Sequence, residues 1–236
     1  MKRFAVITGG TKGIGSALCE HFANGGYDIA TCARSEADLK EMQNFYKWQM
    51  PNTELYVHKV DVSKKNEVEA FGQMILDLNR PIDVLVNNAG IFIPAEVSDV
   101  ENDVLENLIN TNLYSAYYLT RKLIPSMKKR KHGHIFNLCS VASIQALPHS
   151  GAYCVSKFAL YGFNKVLRQE LMPYGIKVTA VLPGATYTAS WEGTTHPRER
   201  FIPAIDVADA IWSATYLSDS TVIEEILIRP MEGDFD

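Results

Sequence analysis

The sequence is poor in the features that would take a chain out of the ordinary globular class. Its four cysteines, Cys19, Cys32, Cys139 and Cys154, form no C-x-x-C pair and no grouping with histidine at ligand spacing, which argues against a disulfide scaffold and against a metal site. No apolar run approaches the ~20 residues that a membrane-spanning helix needs. Only four consecutive apolar residues precede Thr8, too few for the core of a secretion signal, so a reducing cytoplasm is the expected setting. Charge is also scarce. A net charge of −4 and a pI near 5.9 supply no long-range attraction to nucleic acid or to an anionic membrane. The one basic run, Lys128-Lys129-Arg130-Lys131, follows an apolar-periodic stretch and precedes Gly133, which reads as a solvated helix C-terminus favoured by the macrodipole. No repeat, low-complexity segment or linker divides the 236 residues. One domain spanning 1–236 is expected, and 47% hydrophobic content is enough for a sizeable core.

What is present is alternation. Apolar, β-rich runs at 4–8, 28–33, 55–60, 82–87, 134–140, 177–182 and 225–229 read as seven strands, most of them separated by helix-length spacers. Parallel strands need crossovers that place helices on the sheet faces, so this order argues for a parallel α/β sheet covered on both sides. Ligands of such sheets gather beyond the strand C-terminal ends. The chemically suggestive residues fall there: Thr8 and Gly9 after the first run, Arg34 after the second, Asp61 after the third, Asn88 after the fourth, Ser140 at the end of the fifth and Pro183 after the sixth.

Two local patterns carry chemistry. In Tyr153-Cys154-Val155-Ser156-Lys157, a helix puts residues i and i+4 on one face, so the phenol and the ammonium share a cleft. An ammonium at ~4 Å, in an effective dielectric of ~20, favours phenolate by roughly 4 kcal/mol before desolvation, up to about three pKa units, and is expected to bring Tyr153 towards working range. At the other end, Thr8-Gly9-Gly10-Thr11-Lys12-Gly13-Ile14-Gly15 joins the first strand to an apolar-periodic helix containing Ala17, Leu18, His21 and Phe22. A strand, a glycine turn and a helix N-terminus make a resting place for a pyrophosphate. The spacing is not the generic G-x-G-x-x-G.

With Thr8-Gly9-x-x-x-Gly13-x-Gly15, Asn87-Asn88-Ala89-Gly90, Asn112, Ser140, Tyr153-x-x-x-Lys157 and Pro183-Gly184 in this order, the chain resembles the short-chain dehydrogenase/reductase family, most closely its 3-oxoacyl-[acyl-carrier-protein] reductase members. The resemblance runs from Lys2 to about Thr188. It implies a Rossmann-like, doubly wound three-layer fold with a seven-stranded parallel sheet. It further implies a catalytic group in which Ser140 orients and polarises a carbonyl, Tyr153 delivers the proton, Lys157 tunes Tyr153 and holds the nicotinamide ribose, and Asn112, within a helical stretch, holds a water linking Lys157 to solvent. Ser143 is a rival to Ser140 or a wall of the substrate pocket. Gln145, His149 and Tyr187 are further residues that could face substrate.

The same resemblance assigns a cofactor. Thr8, Gly9, Thr11 and Lys12, then Gly13, Ile14 and Gly15, cradle the dinucleotide, Asp61 and Val62 meet the adenine edge, and Asn88, Ala89 and Gly90 flank the adenosine ribose. Pro183, Gly184 and Thr188 hold the nicotinamide carboxamide. Where an NAD enzyme carries an acidic residue for the ribose hydroxyl, this chain has Ala33 and Arg34. No carboxylate is expected there to repel a 2′-phosphate, and Arg34 with Lys12 implies NADP(H) rather than NAD(H). Residues 185–203 read as a mobile, substrate-covering loop with one short helix. Whereas the acyl-carrier-protein reductase type ends with a strand and Gly-Gly, this chain runs Ile228-Arg229-Pro230-Met231-Glu232-Gly233-Asp234, a departure from the tail contacts of tetrameric members. The expected activity is NADPH-dependent reduction of a small-molecule ketone or aldehyde, such as a 3-oxoacyl thioester, by a homodimer or homotetramer with no nucleic-acid or membrane partner. The alternative is a non-enzymatic NADP(H)-binding sensor or scaffold on the same fold.

Overall fold

The computed structural model describes residues 2–191 and 193–235. Strands β1 (Phe4–Thr8), β2 (Asp28–Ala33), β3 (Leu55–Lys59), β4 (Val84–Asn87), β5 (His134–Leu138), β6 (Lys177–Pro183) and β7 (Glu225–Ile228) form one sheet in the order β3-β2-β1-β4-β5-β6-β7. Every pairing is parallel. The seven strands read from the sequence are all present; β1 and β2 have the expected bounds and the other five are shifted at one end by one or two residues. β5 stops at Leu138 instead of reaching Ser140, because Ser140 caps a single 3₁₀ turn at Val141–Ser143.

Side chains alternate across the sheet. Ala5 and Ile7 of β1 join a core with Leu18 and Phe22 of α1 (Gly13–Asn24), Met42 of α2 (Glu36–Gln49) and Ile211 of α7 (Ala204–Thr215). Phe4 and Val6 point the other way, onto Phe71 of α3 (Lys65–Asp77), Leu123 of α5 (Ser115–Arg130) and Leu167 of α6 (Gly151–Leu171). This is the three-layer arrangement, and it is why the inner strands are apolar on both faces. Each fully buried large side chain, such as Phe22 or Phe71, contributes about 1.5–3 kcal/mol by leaving water.

Local signals explain the helix ends. Ser35 caps α2 by accepting from the Asp38 amide at 3.1 Å. The basic run closes α5 with Lys128, Lys129 and Arg130 in the last turn and Lys131 in the left-handed region at φ 52°. Under the sheet's C-terminal edge lies a buried amide chain: Asn87 Nδ2 donates to Thr120 Oγ1 and to Asn137 Oδ1, and Asn137 Nδ2 donates to Asn164 Oδ1, each at 2.8 Å. It locks β4, β5, α5 and α6 together directly below the crevice. The strand order reverses between β1 and β4, the place where such sheets open to a ligand.

Candidate active site

A cleft of about 830 Å³ crosses that switch point, running from the end of β2 to the segment after β7. Its floor is the glycine turn. Gly13 has φ +55°, and a Cβ on Gly15 would sit 2.0 Å from the Gly9 carbonyl oxygen, so only glycine lets the turn fold back on itself. The first residues of α1, Gly13, Ile14 and Gly15, line the cleft together with Thr11 and Lys12. Thr8 is placed differently from expectation. Its buried hydroxyl accepts from the Asn88 and Ala89 amides at 3.0 Å, and Asn88 Nδ2 returns a bond to the Thr8 carbonyl at 2.8 Å. Thr8 ties the glycine turn to the Asn88-Ala89-Gly90 loop from beneath and does not line the cleft; the loop does.

At the β2 end the expected pair of cations has a third member. Arg34 is exposed on the rim, and Lys12 pairs with Asp38 at 2.8 Å. The sequence reading saw no carboxylate here because Asp38 lies in the first turn of α2, and only the fold returns it to the glycine turn. Hydrogen bonding from Lys12 holds the Asp38 carboxyl below its usual range. Asp61 is partly desolvated, which alone would raise it, yet the Ser63 hydroxyl and amide, at 2.7 and 3.1 Å, with Lys64 and Arg34 nearby, bring it below the ordinary value. Asp61 and Val62 both line the cleft.

At the opposite end Ser140, Tyr153 and Lys157 meet on one wall with Pro183, Gly184 and Thr188. Ser140 Oγ accepts from the Ala142 amide at 3.1 Å and lies 3.5 Å from the Pro183 carbonyl. Ser143 is neither a rival nor a pocket wall: it is fully buried, and its hydroxyl accepts from the Ser140 amide at 3.1 Å. The expectation that Lys157 lowers the phenol of Tyr153 is overturned. Burial pushes its phenol up to about 12, against which hydrogen bonding with Ser140 works. Lys157 does not offset this, because its Nζ donates to the Leu138 carbonyl at 2.7 Å, 5.8 Å from the Tyr153 ring centre. Burial also lowers Lys157 itself to about 8. Desolvation of both groups outweighs their attraction.

Asn112 sits in a π-helical turn, Asn110–Tyr114, between α4 (Val104–Ile109) and α5, where the sequence suggested ordinary helix. Its side chain accepts from the Ile91 amide at 2.8 Å and donates to the Ile91 carbonyl and Ser156 Oγ at 3.0 Å. It clamps the loop after Gly90, and a Cβ on Gly90 would lie 3.1 Å from Asn112 Oδ1 and 3.6 Å from Lys157 Nζ. Of the three further residues suggested for substrate, only His149 lines the cleft, paired with Glu96 at 2.8 Å. Gln145 accepts from Arg229, and Tyr187 packs on Phe201.

Among the described residues of 185–203 there are two short 3₁₀ turns, Ala189–Trp191 and Arg198–Arg200, where the sequence suggested one short helix, and a bridge between Thr186 and Ile202 joins the ends of the segment. Phe92, Trp191, Asp234 and Phe235 complete the wall beyond Tyr153. Sequence reasoning missed all four, since they carry no motif and come from three separate segments. Among the described residues no cluster of histidine, cysteine and carboxylates could hold a metal ion, and no helix is long and apolar enough to cross a membrane.

Residues 3–199 match the model of the short chain dehydrogenase family. A sepiapterin reductase of Chlorobaculum tepidum is 31% identical over 242 residues, covering 99% of this chain and 98% of that protein. Among solved structures, an alcohol dehydrogenase from the archaeon Thermococcus sibiricus, complexed with 5-hydroxy-NADP, aligns with a TM-score of 0.90 at 26% identity over 99% of each chain. A metagenomic short-chain oxidoreductase in complex with NADP aligns with a TM-score of 0.84 at 28% identity over 97% of each.

Proposed function

The chain belongs to the short chain dehydrogenase family and is an oxidoreductase, and from that premise we propose that it reduces a ketone or aldehyde with NADPH, Tyr153 delivering the proton. The observation that carries this is one continuous cleft with cations at one end and a hydroxyl, a phenol and an ammonium at the other, joined by a glycine floor too tight for any side chain. Arg34, exposed on the rim, can fork onto the oxygens of a phosphorylated ribose, with Lys12 on the same side, and this favours a 2′-phosphate over a bare hydroxyl. Bound NADPH supplies the hydride.

The residues do the rest. Ser140 and Tyr153 hydroxyls hydrogen-bond the carbonyl oxygen and stabilise the charge that develops on it. Tyr153, held protonated by burial, gives its proton to the resulting alkoxide. Lys157, an ammonium below about pH 8, stands 5.8 Å from the centre of the Tyr153 ring and would be the residue that holds the nicotinamide ribose. Asn112 keeps the Ile91 loop against this group. Exposed Tyr117 on α5 and Val155, Phe158 and Val166 on α6 form an apolar face that suits a homodimer or homotetramer, in a cytoplasmic setting.

Steady-state oxidation of NADPH and NADH against 3-oxoacyl thioesters, diketones, sugars and aryl ketones tests the reading, with light scattering for the oligomer. Turnover with NADPH preferred, lost in Tyr153→Phe, is the expected result. Tight NADPH binding without turnover of any carbonyl, unchanged in Tyr153→Phe, points instead to a sensor.

A further inference from the structure

We infer that the His149–Glu96 pair is a clip that positions the proton donor: it fixes the loop after β4 against the start of α6 and so sets Phe92 on the ring of Tyr153. The inference rests on the reductase reading and adds His149 to it as a positioning residue. The loop is held at both ends. At its base the Asn112 side chain accepts from the Ile91 amide at 2.8 Å and donates to the Ile91 carbonyl at 3.0 Å. At its far end three consecutive residues meet residues 149–151, where α6 begins. Ala95 forms a bridge with Ser150, Glu96 Oε1 lies 2.8 Å from His149 Nδ1, and Val97 rests on Gly151, where a Cβ would stand 2.3 Å from the Val97 Cγ2.

Between these anchors Phe92 meets the Tyr153 ring edge-on at 4.8 Å and lies nearly parallel to Trp191 at 6.4 Å. The clip is also joined to the phenol through the backbone. The Cys154 amide donates to the Ser150 carbonyl at 2.8 Å, so a shift of residues 149–151 is carried to the helical turn that bears Tyr153. His149 itself has φ +52°, a conformation that glycine and asparagine adopt more readily. A histidine under that strain is accounted for by its ring, which reaches Glu96 and lines the cleft. Both side chains are more than half exposed, so the pair contributes little energy of its own. Its effect is geometric, exerted on the packing of a proton donor whose placement sets the rate.

The experiment measures kcat, KM for NADPH and the heavy-water isotope effect on kcat. Its substrate is the carbonyl that the full-length protein turns over fastest among 3-oxoacyl thioesters, diketones, sugars and aryl ketones. His149→Asn suits the left-handed backbone and loses the ring, and Glu96→Gln loses the charge at the other end of the pair. Each is expected to lower kcat about two- to fivefold and to raise the solvent isotope effect, because delivery of the Tyr153 proton becomes slower. KM for NADPH and the thermal unfolding midpoint stay as in wild type. The double variant is no worse than the worse single, and His149→Asn adds nothing in a Phe92→Leu background. Asp99→Asn, which removes an exposed carboxylate from the same loop, changes none of these values. Unaltered kcat in both single variants overturns the inference, as do effects that multiply in the double or persist undiminished beside Phe92→Leu. A lower kcat with a lower unfolding midpoint and an unmoved solvent isotope effect marks a merely structural pair and overturns it too. All of these leave the reductase reading standing, whereas no turnover of any carbonyl by the wild-type protein sinks that reading and the clip with it.

Discussion

The two ends of the cleft are built on opposite electrostatic terms. At the β2 end Arg34 and Lys12 sit on the rim with Asp38 and Asp61, and hydrogen bonds from Lys12 and Ser63 hold these two carboxyls below their usual range. At the α6 end Lys157 is buried and Tyr153 half-buried, and desolvation moves both towards their neutral forms. Charge at the first end selects among ligands that carry their own phosphate. Desolvation at the second keeps the phenol of Tyr153 protonated and brings the ammonium of Lys157 within about a unit of losing its proton near pH 7.

The sharpest break in this contrast is Tyr153→Phe, which removes the proton and keeps the ring. Its expected effect is a roughly 10²–10⁴-fold loss of kcat with NADPH affinity by fluorescence titration unchanged; loss of binding instead would move Tyr153 to the cofactor side. Next is Arg34→Ala at the opposite end. One charge-assisted phosphate contact is worth ~1.5–3 kcal/mol, so the NADPH:NADH ratio of kcat/KM should fall about ten- to a hundredfold, with kcat on NADPH little altered. Because the rim is exposed, raising salt should erode that ratio as well.

The third test is pH. Burial lowers folded Lys157 from its ordinary value to about 8, so kcat/KM for reduction, which reports the free enzyme, should decline above about pH 8, by about tenfold per unit where the protonated form is required. The sign of the stability effect runs the other way. Below pH 8 the folded state must hold a buried ammonium; between about 8 and the unfolded value of 10.5 the unfolded chain binds more protons, so this group's contribution rises with pH. Lys157→Met should remove both trends, read by kinetics and by urea unfolding. The smallest effect is expected at Lys12→Ala. Asp38 already shares that ammonium, and its release as an unpaired carboxylate should lower NADPH preference only about three- to tenfold. A loss as large as at Arg34 would show that Lys12 leaves Asp38 entirely.

How far the sequence could be read depended on the distance over which each feature acts. The seven strands, the covering helices and the α5 terminus follow from periodicity and caps. The glycine turn and the spacing of Tyr153 and Lys157 are local too, and both reach the cleft as expected. Thr8 and Ser143 misled, since a hydroxyl beside a motif looks the same whether it faces a ligand or an amide behind it. Asp38 was misjudged for a related reason: it lies beyond the second strand in the chain but beside Lys12 in space.

By itself the sequence determined a parallel, doubly covered sheet and the chemistry offered at its edge, because hydrophobic period and turn composition act between near neighbours. Only the tertiary structure decided that Tyr153 is pushed up and not down, that Asn112 grips Ile91, and that Phe235 and Asp234 close the cleft around Trp191. Desolvation and enclosure depend on every segment that packs against a group, and those segments lie far apart along the chain.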